Sequence, residues 1–340
     1  MKATRWNLVL VSWVEHARTR TDLEEIARRV GAVDPAISAQ VVSHHKIDQL
    51  RLLPLWLRPT LSVSFYALDK RKLLPGQLAT GVRLHKHGEY ARLDAAGLPV
   101  PRWCILTPET KLDAESWGPY VVVKPSAGRL GALVRIQKTS RVRYQRPELF
   151  PADHYGRVAP MLVQEFVYTG EWPESYRVVT LFGTVLLCYR QVTRGRGHPL
   201  KSRFDFRSTG GVSVVSNTQE MAVTLSGDAE VIALAERAHR EAFDDLPVLS
   251  FDIIRDAETG ALYILECHAH GSWMFAADIG RGIEAANNVD FRAQFDALDR
   301  AARILARETP LRAAVRPPFC GPPFRQAGAA DGKSGEAASA

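Results

Sequence analysis

The chain has 340 residues, of which 46% are hydrophobic and 24% are charged, and its formal net charge is +7. This is ordinary globular composition, with enough length for two or three packed units. The arginines are spread along the chain rather than gathered in one block, so the charge is no sign of a nucleic-acid partner. Affinity for small anions explains the excess of positive charge as well, and a general bias of the composition toward arginine explains it better still.

The cysteines and the apolar start exclude two further classes. Cys104, Cys188, Cys267 and Cys320 are scattered and form no CxxC pair, which argues against a secreted disulfide framework or a four-ligand zinc module and favours a reducing cytoplasm. The run WNLVLVSWV (6–14) is too short to span a bilayer and lacks a cleavage site. We therefore interpret it as a buried strand and expect no membrane partner.

The N-terminal elements alternate between strand and helix. Strands are predicted at 6–14, 38–45 and 60–68, where β-branched or aromatic residues dominate. A capping box formed by Thr21 and Glu24 predicts a helix over 22–30 that Gly31 ends. This order predicts a small parallel sheet.

After a turn-rich stretch near residue 75, the pattern becomes a mixed α+β run. Helices are predicted at 86–97, 229–243 and 290–307. Strands are predicted in PVPRWCIL, YVVVKP, ALVRI, MLVQEFV, YRVVTLFG, TVLLCYRQV, VLSFDIIRD and ALYILECHA, the first of them at a sheet edge because of its prolines. Ser226 or Asp228 caps the second helix, and from Val315 onward the sequence predicts disorder.

The last two strands carry a group of ligand-type side chains, and the turn AETG makes them a hairpin. Alternate side chains share a strand face, so Glu266 and His268 point together while Cys267 points away. A zinc site or a Cys–His catalytic pair is therefore awkward, and Cys267 is predicted to be an inert packed thiol. Asp252 faces Glu266 across the hairpin, and two such carboxylates repel unless a cation sits between them. Apolar flanks argue against the alternative of two solvated acids, so the pair favours Mg²⁺.

A lysine at a strand end precedes a glycine-containing turn in YVVVKPSAGRLGALVRI (120–136). Lys124 can reach a phosphate as a point charge, and the Ser126–Gly128–Gly131 loop lets backbone N–H groups approach phosphate oxygens. The alternative is a plain hairpin, since neither GxxxxGK[ST] nor GxGxxG is present. The strand MLVQEFV runs into a loop and can offer backbone groups to a purine edge.

The order of these motifs resembles the ATP-grasp superfamily, closest to the group of glutathione synthetase and the bacterial glutamate-adding ligases. The series is AGLPVP after a helix, VVVKP, a glycine-rich loop, QEFV, R-V-V, and paired acids in FDII and LEC. The resemblance implies an α+β ATP-grasp fold, in which two α+β subdomains clasp ATP, preceded by a small α/β domain with a parallel sheet. The implied units are an N-terminal α/β domain (1–80), a small subdomain with the glycine-rich loop (81–160), a large subdomain with the metal site (161–310) and a disordered tail (311–340).

The resemblance also implies roles for individual residues. Lys86 and Lys124 match the nucleotide lysines. Gln164, Glu165, Phe166 and Val167 match the hinge that reads adenine. Glu171, preferred over Glu174, would hold the ribose hydroxyls. Arg177 and Arg190 match strand arginines that face the triphosphate and the developing acyl phosphate. Asp252 and Glu266 match the metal ligands. Lys201 and Arg203, in KSRFDFRSTGG, are candidates for the carboxylate or γ-phosphate, and a solvated basic loop is the alternative.

The sequence departs from the family pattern at one of the metal-ligand positions. His268 stands where the family usually has Asn two residues after the Glu, and imidazole suits Mn²⁺ or Zn²⁺ better than Mg²⁺. A second metal would then be weaker, different or absent. The expected cofactors are ATP and Mg²⁺, with Mn²⁺ as the alternative. Trp273 and Met274 shape an acceptor pocket or belong to the core.

The implied activity is that of an enzyme, a cytoplasmic ATP-dependent carboxylate–amine (or carboxylate–thiol) ligase that works through an acyl phosphate. Its partners would be ATP and small-molecule carboxylate and amine substrates, with neither nucleic acid nor membrane. Two alternatives stay open: a phosphotransferase on the same scaffold, and an ATP-binding protein with weakened catalysis used for regulation. The sequence names neither substrate and does not give the oligomeric state.

Overall fold

The computed structural model describes residues 5–13, 17–44, 55–68, 74–128, 133–193, 204, 221–269 and 273–314. The predictions for Gly131, Lys201, Arg203 and the tail from Val315 onward lie outside these residues. Among the described residues, no helix combines the length and the apolar character that crossing a bilayer requires.

The N-terminal part is a four-stranded sheet, sheet A, in which every strand is parallel to its neighbours, as predicted. Its order is β2-β1-β3-β4. The strands are β1 (Trp6–Ser12), β2 (Ile37–Ser43), β3 (Thr60–Ser64) and β4 (Gln77–Thr80). The central strand β1 is buried along nearly its whole length, which explains its continuous apolar run.

Helix α1 (Ala17–Val33) follows β1 and is longer than predicted. Its apolar side is built from Leu23, Ile26, Ala27 and Val30, all buried at helical spacing. The predicted start and stop are both wrong. The Thr21 hydroxyl donates to the Ala17 carbonyl inside the helix, and Gly31 lies before the helix end with free space around its Cα. Apolar packing therefore sets the length of this helix more than local cap signals do.

The second sheet, sheet B, is antiparallel with the order β5-β8-β6-β7. Its strands are β5 (Trp103–Ile105), β6 (Tyr120–Pro125), β7 (Arg135–Lys138) and β8 (Met161–Glu165). The predicted edge strand is confirmed, because β5 pairs on one side only, with β8. Helix α2 (Lys86–Ala95) precedes the sheet and α3 (Ala114–Trp117) connects β5 to β6.

The third sheet, sheet C, is also antiparallel and has the order β11-β10-β9-β12-β13. Its strands are β9 (Glu174–Leu181), β10 (Thr184–Thr193), β11 (Met221–Leu225), β12 (Val248–Arg255) and β13 (Leu262–His268). The predicted hairpin of β12 and β13 is confirmed. Asp228, rather than Ser226, caps α4 (Ala229–Ala242), because its carboxylate accepts from the backbone N–H groups of Glu230 and Val231.

The C-terminal helix predicted over 290–307 is wrong in its bounds. Two helices occur instead, α5 (Asp278–Asn287) and α6 (Ala297–Arg312), separated by Asn288 and Asp296 in left-handed conformation. Asn and Asp tolerate this conformation better than other non-glycine residues, so they break the helical run. Phe291, between the two helices, is fully buried in the core.

Both faces of sheet C are used, and this positions the cleft described below. One face packs on α4 through residues such as Val178, Phe251 and Cys267. The opposite face shares a core with sheet A and α6 through Val179 and Tyr189, and beyond that core it is left for the cleft. Trp273 belongs to this core: its ring stacks on Phe65 at 5.0 Å and its Nε1 donates to the Asp22 carboxylate at 2.8 Å.

Candidate functional site

A cleft between sheet B and sheet C collects most of the residues predicted for the nucleotide and the metal. Those that line it are Lys86, Lys124, Gly128, Gln164, Glu165, Phe166, Val167, Arg177, Asp252, Glu266 and His268. They come from α2, from β6 and β8 on one side, and from β9, β12 and β13 on the other. The sequence motifs thus converge in space although they span 183 positions from first to last.

The two acids lie opposite each other on the hairpin. Asp252 pairs in register with Glu266, and a bulge follows directly after this pair. Ligand atoms of Asp252, Glu266 and His268 all lie within 4.8 Å of one another. His268 Nε2 is 3.3 Å from Asp252 Oδ2, and its Nδ1 is 3.9 Å from Glu266 Oε1. Cys267 faces the core on the other side of the sheet, so the prediction of a packed thiol is confirmed.

Side-chain cations already balance the two acids. Arg177 donates two parallel hydrogen bonds to Asp252. One runs from Nε to Oδ1 at 2.6 Å, and the other runs from a terminal guanidinium nitrogen to Oδ2 at 2.8 Å. Lys86 Nζ donates to Glu266 Oε1 at 2.6 Å. Arg177 and Lys86 therefore also relieve the repulsion between the two carboxylates, for which the sequence predicts a metal ion.

The protonation states follow from this arrangement. Burial alone would raise the pKa of Asp252, but the Arg177 charge and the hydrogen bond from His268 hold that pKa below its ordinary value. Burial opposes ionisation of Glu266 as well, yet nearby His268, Lys86 and Lys124 lower its pKa. Burial would lower the pKa of His268, but the bond to Asp252 and the charge of Glu266 raise it. The acids are thus ionised at neutral pH, and the neighbouring His268 holds its proton more strongly than an ordinary histidine does.

Lys124 is buried at the centre of a hydrogen-bonded group that the sequence did not reveal. Its Nζ lies 2.8 Å from the hydroxyl of Tyr90, which is completely buried on α2. That hydroxyl lies 2.5 Å from the Leu265 carbonyl oxygen and 2.9 Å from Gln164 Oε1. Burial lowers the pKa of Lys124 to about 8. From the sequence, Tyr90 has no role beyond its place in the helix predicted over 86–97. The available signal is its spacing of four from Lys86, which places both side chains on one helix face.

A third carboxylate, Glu89, lies behind the hairpin. It is 5% exposed and its Oε2 accepts from the backbone N–H of Cys267 at 3.3 Å. Burial, together with the charge of Glu266, raises its pKa to about 7. Glu89 therefore changes protonation near neutral pH, while Asp252 and Glu266 stay charged.

The loop after β6 approaches the cleft through Gly128. Its φ of +130° is a conformation that favours glycine, and an added Cβ would lie 3.2 Å from the Tyr155 ring. Ser126 is buried and does not line the cleft. Its hydroxyl lies 2.6 Å from His87 Nδ1, and its carbonyl oxygen accepts a hydrogen bond from the backbone N–H of Lys86 at 3.0 Å. In this structure Ser126 supports the start of α2 rather than lining the cleft.

The structure does not bring Arg190 and Glu171 to the cleft wall. Tyr189 pairs in register with Arg177 and Arg190 pairs with Tyr176, so Arg190 points to the opposite face of sheet C from Arg177. There the guanidinium of Arg190 contacts the carboxylate of Glu174. Glu174 lines the cleft whereas Glu171 is exposed and does not. Ser175 and Gln191 are among the lining residues that were not predicted from the sequence, and they hydrogen-bond each other at 2.8 Å.

The donor set fits a divalent cation. Ligand atoms around one small ion lie roughly 3–4 Å apart, close to the spacing of the three side chains here. Each carboxylate oxygen has a second lone pair, so the bonds from Arg177 and Lys86 leave acceptor capacity on Asp252 and Glu266. The imidazole of His268 would serve such an ion as a neutral ligand.

No protein-family model and no curated protein matches the chain. Among solved structures, D-cycloserine synthetase DcsG is similar at 17% identity with a TM-score of 0.49, over 89% of this chain and 99% of that one. ATP-grasp ligase PsnB, complexed with a minimal precursor, is similar at 19% identity and a TM-score of 0.47, over 88% of this chain and 100% of that one. D-alanine–D-alanine ligase from Bacillus anthracis follows at 13% identity and a TM-score of 0.44, over 90% of this chain and 99% of that one.

Proposed function

We propose that the cleft binds ATP and that the chain is an ATP-dependent ligase. It would activate a carboxylate as an acyl phosphate and pass the acyl group to an amine or a thiol. One observation carries the proposal: three cations (Lys86, Lys124 and Arg177) and three metal-type ligands (Asp252, Glu266 and His268) meet in one cleft. A metal-bound triphosphate needs both sets, because its oxygens require cationic donors and its metal requires acidic ligands.

The nucleotide would lie in the cleft between sheet B and sheet C. Lys124 would meet the phosphates as a point charge, and the backbone near Gly128 would approach them closely. The segment 164–167 would contact the adenine, and Glu174 is better placed than Glu171 for the ribose hydroxyls. Arg190 would then act by holding the Glu174 carboxylate.

The proposed reaction has two steps. A carboxylate oxygen of the first substrate attacks the γ-phosphorus, the bond to the bridging oxygen breaks, and ADP leaves. The amine nitrogen or thiol sulfur then attacks the acyl carbon, loses its proton, and phosphate leaves with the former carboxylate oxygen. The protein contributes alignment and charge neutralisation, for which Lys86, Lys124 and Arg177 are the described candidates. A divalent cation held by Asp252, Glu266 and His268 would supply Lewis-acid neutralisation of the phosphate charge. We propose Mg²⁺, with Mn²⁺ as the alternative because of the imidazole.

A second candidate is a nucleotide-binding protein with weakened turnover. The ion pairs of the two acids favour this candidate. Arg177 already binds Asp252 and Lys86 already binds Glu266, so a metal would have to share the carboxylate oxygens with these cations. The phosphotransferase alternative differs only in its acceptor, a hydroxyl that keeps the phosphoryl group. A cytoplasmic location remains proposed from the scattered cysteines alone.

The test is a thermal-shift panel of nucleotides with Mg²⁺ or Mn²⁺, followed by ADP release against small carboxylates paired with amines or thiols. For any active pair, the carboxylate is labelled with ¹⁸O. Transfer of the label to inorganic phosphate supports the acyl phosphate. A stable phosphate ester would instead identify a phosphotransferase, and nucleotide binding without ADP release would identify the weakened form. Absence of nucleotide binding would reject the site itself.

A further inference from the structure

The segment between β7 and β8, residues 139–160, forms a shaped surface on sheet B. It consists of short 3-10 turns, at Thr139–Arg141, Pro147–Leu149 and Tyr155–Arg157, joined by extended backbone. Together with residues that follow β5, it encloses a groove whose walls include Leu106, Pro108, Tyr144, Phe150 and Val158. This groove is separate from the nucleotide cleft and shares no lining residue with it.

The segment that forms this surface is basic, together with the strand β7 before it. Residues 135–160 contain six cationic and two acidic residues, a net charge of +4 within a chain whose net charge is +7. The six cations are all exposed: Arg135, Lys138, Arg141, Arg143, Arg146 and Arg157. The two acids are Glu148 and Asp153. The arginines are spread along the chain, and this segment holds six of its 44 cationic residues.

These arginines differ from most others in the described part of the chain in having no carboxylate partner there. Arg157 donates to the carbonyls of Phe150 and Glu148, and Arg143 donates to those of Ser140 and Val142. Bonds to carbonyl groups order the segment but leave its charge uncompensated. A cluster of like charges without counter-charges repels itself, so it fits a surface that meets an anionic partner.

Apolar side chains are exposed beside the charges. Val158 is 78% exposed, Leu149 is 67% exposed and Tyr144 is 39% exposed. Tyr144 and Val158 line the groove together with Arg157, and Leu149 precedes the lining residue Phe150 in the chain. Single exposed apolar residues are common, but apolar side chains at a groove in a basic segment resemble the composition of a docking site.

The shape of the segment is fixed by internal packing. His154 stacks on Phe150 with ring centroids 4.3 Å apart, and its Nδ1 accepts from the backbone N–H of Gly156 at 2.8 Å. A Cβ added at Gly156 would lie 2.9 Å from the Phe150 ring, so this position has no room for a side chain. The segment is thus preorganised, which reduces the ordering cost of binding.

We propose that this surface docks an acidic polypeptide segment of a partner, with its carboxylates on Arg141, Arg143 and Arg146 and its apolar side chains in the groove. Nucleic acid fits less well, because base stacking needs several open aromatic faces. Within the segment Phe150 is occupied by His154, whereas Leu149 and Val158 offer aliphatic surface. Tyr155 packs near Gly128 of the phosphate loop, so an occupant of this surface would sit beside the nucleotide cleft.

The experiment uses the full chain and a short fluorescein-labelled peptide rich in Glu and Leu, followed by anisotropy. The reference peptide carries Lys in place of Glu. The test variant combines Arg141→Glu, Arg143→Glu and Arg146→Glu. The control combines Arg5→Glu, Arg58→Glu and Arg281→Glu, which makes the same change of charge at exposed arginines elsewhere. Retained nucleotide thermal shifts, or retained melting temperature, confirm that each variant is folded.

We expect the acidic peptide to bind, the test variant to weaken binding by about tenfold or more, and the control to change it about twofold or less. A second variant, Leu149→Ser with Val158→Ser, should weaken the binding that persists at high salt, where exposed charges are screened. Equal losses in the test and control variants would overturn the proposal, because they would reveal attraction to net charge alone. The proposal would also be overturned if the Lys peptide bound as tightly as the acidic peptide. It would be overturned as well if a single-stranded oligonucleotide bound more tightly than the acidic peptide and the test variant abolished that binding.

Discussion

The hydroxyl of Tyr90 is the contact on which the position of Lys124 depends, and Tyr90→Phe removes it without changing the ring. The hydroxyl lies 2.8 Å from Lys124 Nζ and 2.5 Å from the Leu265 carbonyl oxygen, on the strand next to Glu266. It thereby joins α2, β6 and β13 at one buried point. Because Phe fills the same space, the loss is confined to hydrogen bonding.

The expected size of the effect follows from burial and charge. A hydrogen bond to a charged group contributes about 1.5–3 kcal/mol, and the variant also leaves the Leu265 carbonyl or the Gln164 amide oxygen unsatisfied. We expect the free energy of unfolding to fall by about 2–3 kcal/mol. The bond favours the charged ammonium, and 1.36 kcal/mol corresponds to one pKa unit, so the pKa of Lys124 should fall by about one further unit.

Two assays measure these changes: urea unfolding for stability, and calorimetric nucleotide binding as a function of pH. In the natural sequence, nucleotide affinity should decline as pH rises through about 8, where Lys124 loses its charge. In Tyr90→Phe the decline should begin about one pH unit lower. Tyr176→Phe is the control, since Tyr176 is buried on the opposite face of sheet C. An unchanged midpoint of the pH dependence, together with unchanged stability, would refute the role of the hydroxyl.

Three further predictions concern the same cleft. Lys124→Ala should weaken ATP binding at least about tenfold or stop turnover, and should remove the pH dependence above; calorimetry and ADP release measure this, and unchanged binding would contradict the site. His268→Asn should preserve or improve Mg²⁺-dependent activity because an amide oxygen suits Mg²⁺ better than imidazole; loss of activity in a Mg²⁺ titration would show that His268 has a role of its own. Glu89→Gln should stabilise the protein by up to about 3 kcal/mol above pH 7. Glu89 has a folded pKa of about 7 against an ordinary 4.5, so the folded state holds the extra proton between these values and loses relative stability as pH rises through them. Melting temperatures that differ equally at acidic and alkaline pH would contradict this reasoning.

The part of the site that was predictable is the part that strand geometry determines. Asp252, Glu266 and His268 could be placed on one face because a buried hairpin alternates its side chains and its turn sets the register. Lys124 was recognisable from its place at the end of an apolar strand. These inferences need only neighbours in sequence or across one turn.

The missed features depend on elements that are distant in sequence. Whether Arg190 faces Arg177 depends on the register of β9 and β10, and the pairing of Arg177 with Tyr189 turns Arg190 to the other face. The groups that hydrogen-bond the Tyr90 hydroxyl lie on β6, β8 and β13, so the residues near Tyr90 in the sequence do not predict them. The bounds of α1 and the break before α6 were missed because tertiary burial overrides local cap signals.

The balance of charge in the cleft gives a last prediction, because Arg177 pairs with Asp252, one of the proposed metal ligands. Removing one partner of a buried ion pair leaves an uncompensated charge and costs about 3–5 kcal/mol. In Arg177→Met, burial should dominate and the pKa of Asp252 should rise above its ordinary value. The variant should therefore lose stability as pH rises through that range, whereas the natural pair keeps its stability there and loses it only in acid.

Mg²⁺ should restore part of this loss, since a divalent cation replaces the missing positive charge. The matched control is Arg292→Met, which breaks another Arg–Asp contact, with Asp22 at 3.0 Å, away from the cleft. We expect Mg²⁺ to raise the melting temperature of Arg177→Met more than that of the natural protein, and to leave Arg292→Met without any additional gain. Equal Mg²⁺ shifts in all three proteins would mean that Mg²⁺ does not replace the charge of Arg177 at Asp252. The charges in the cleft would then be fully balanced by its own side chains, and the nucleotide would have to bring its cation with it.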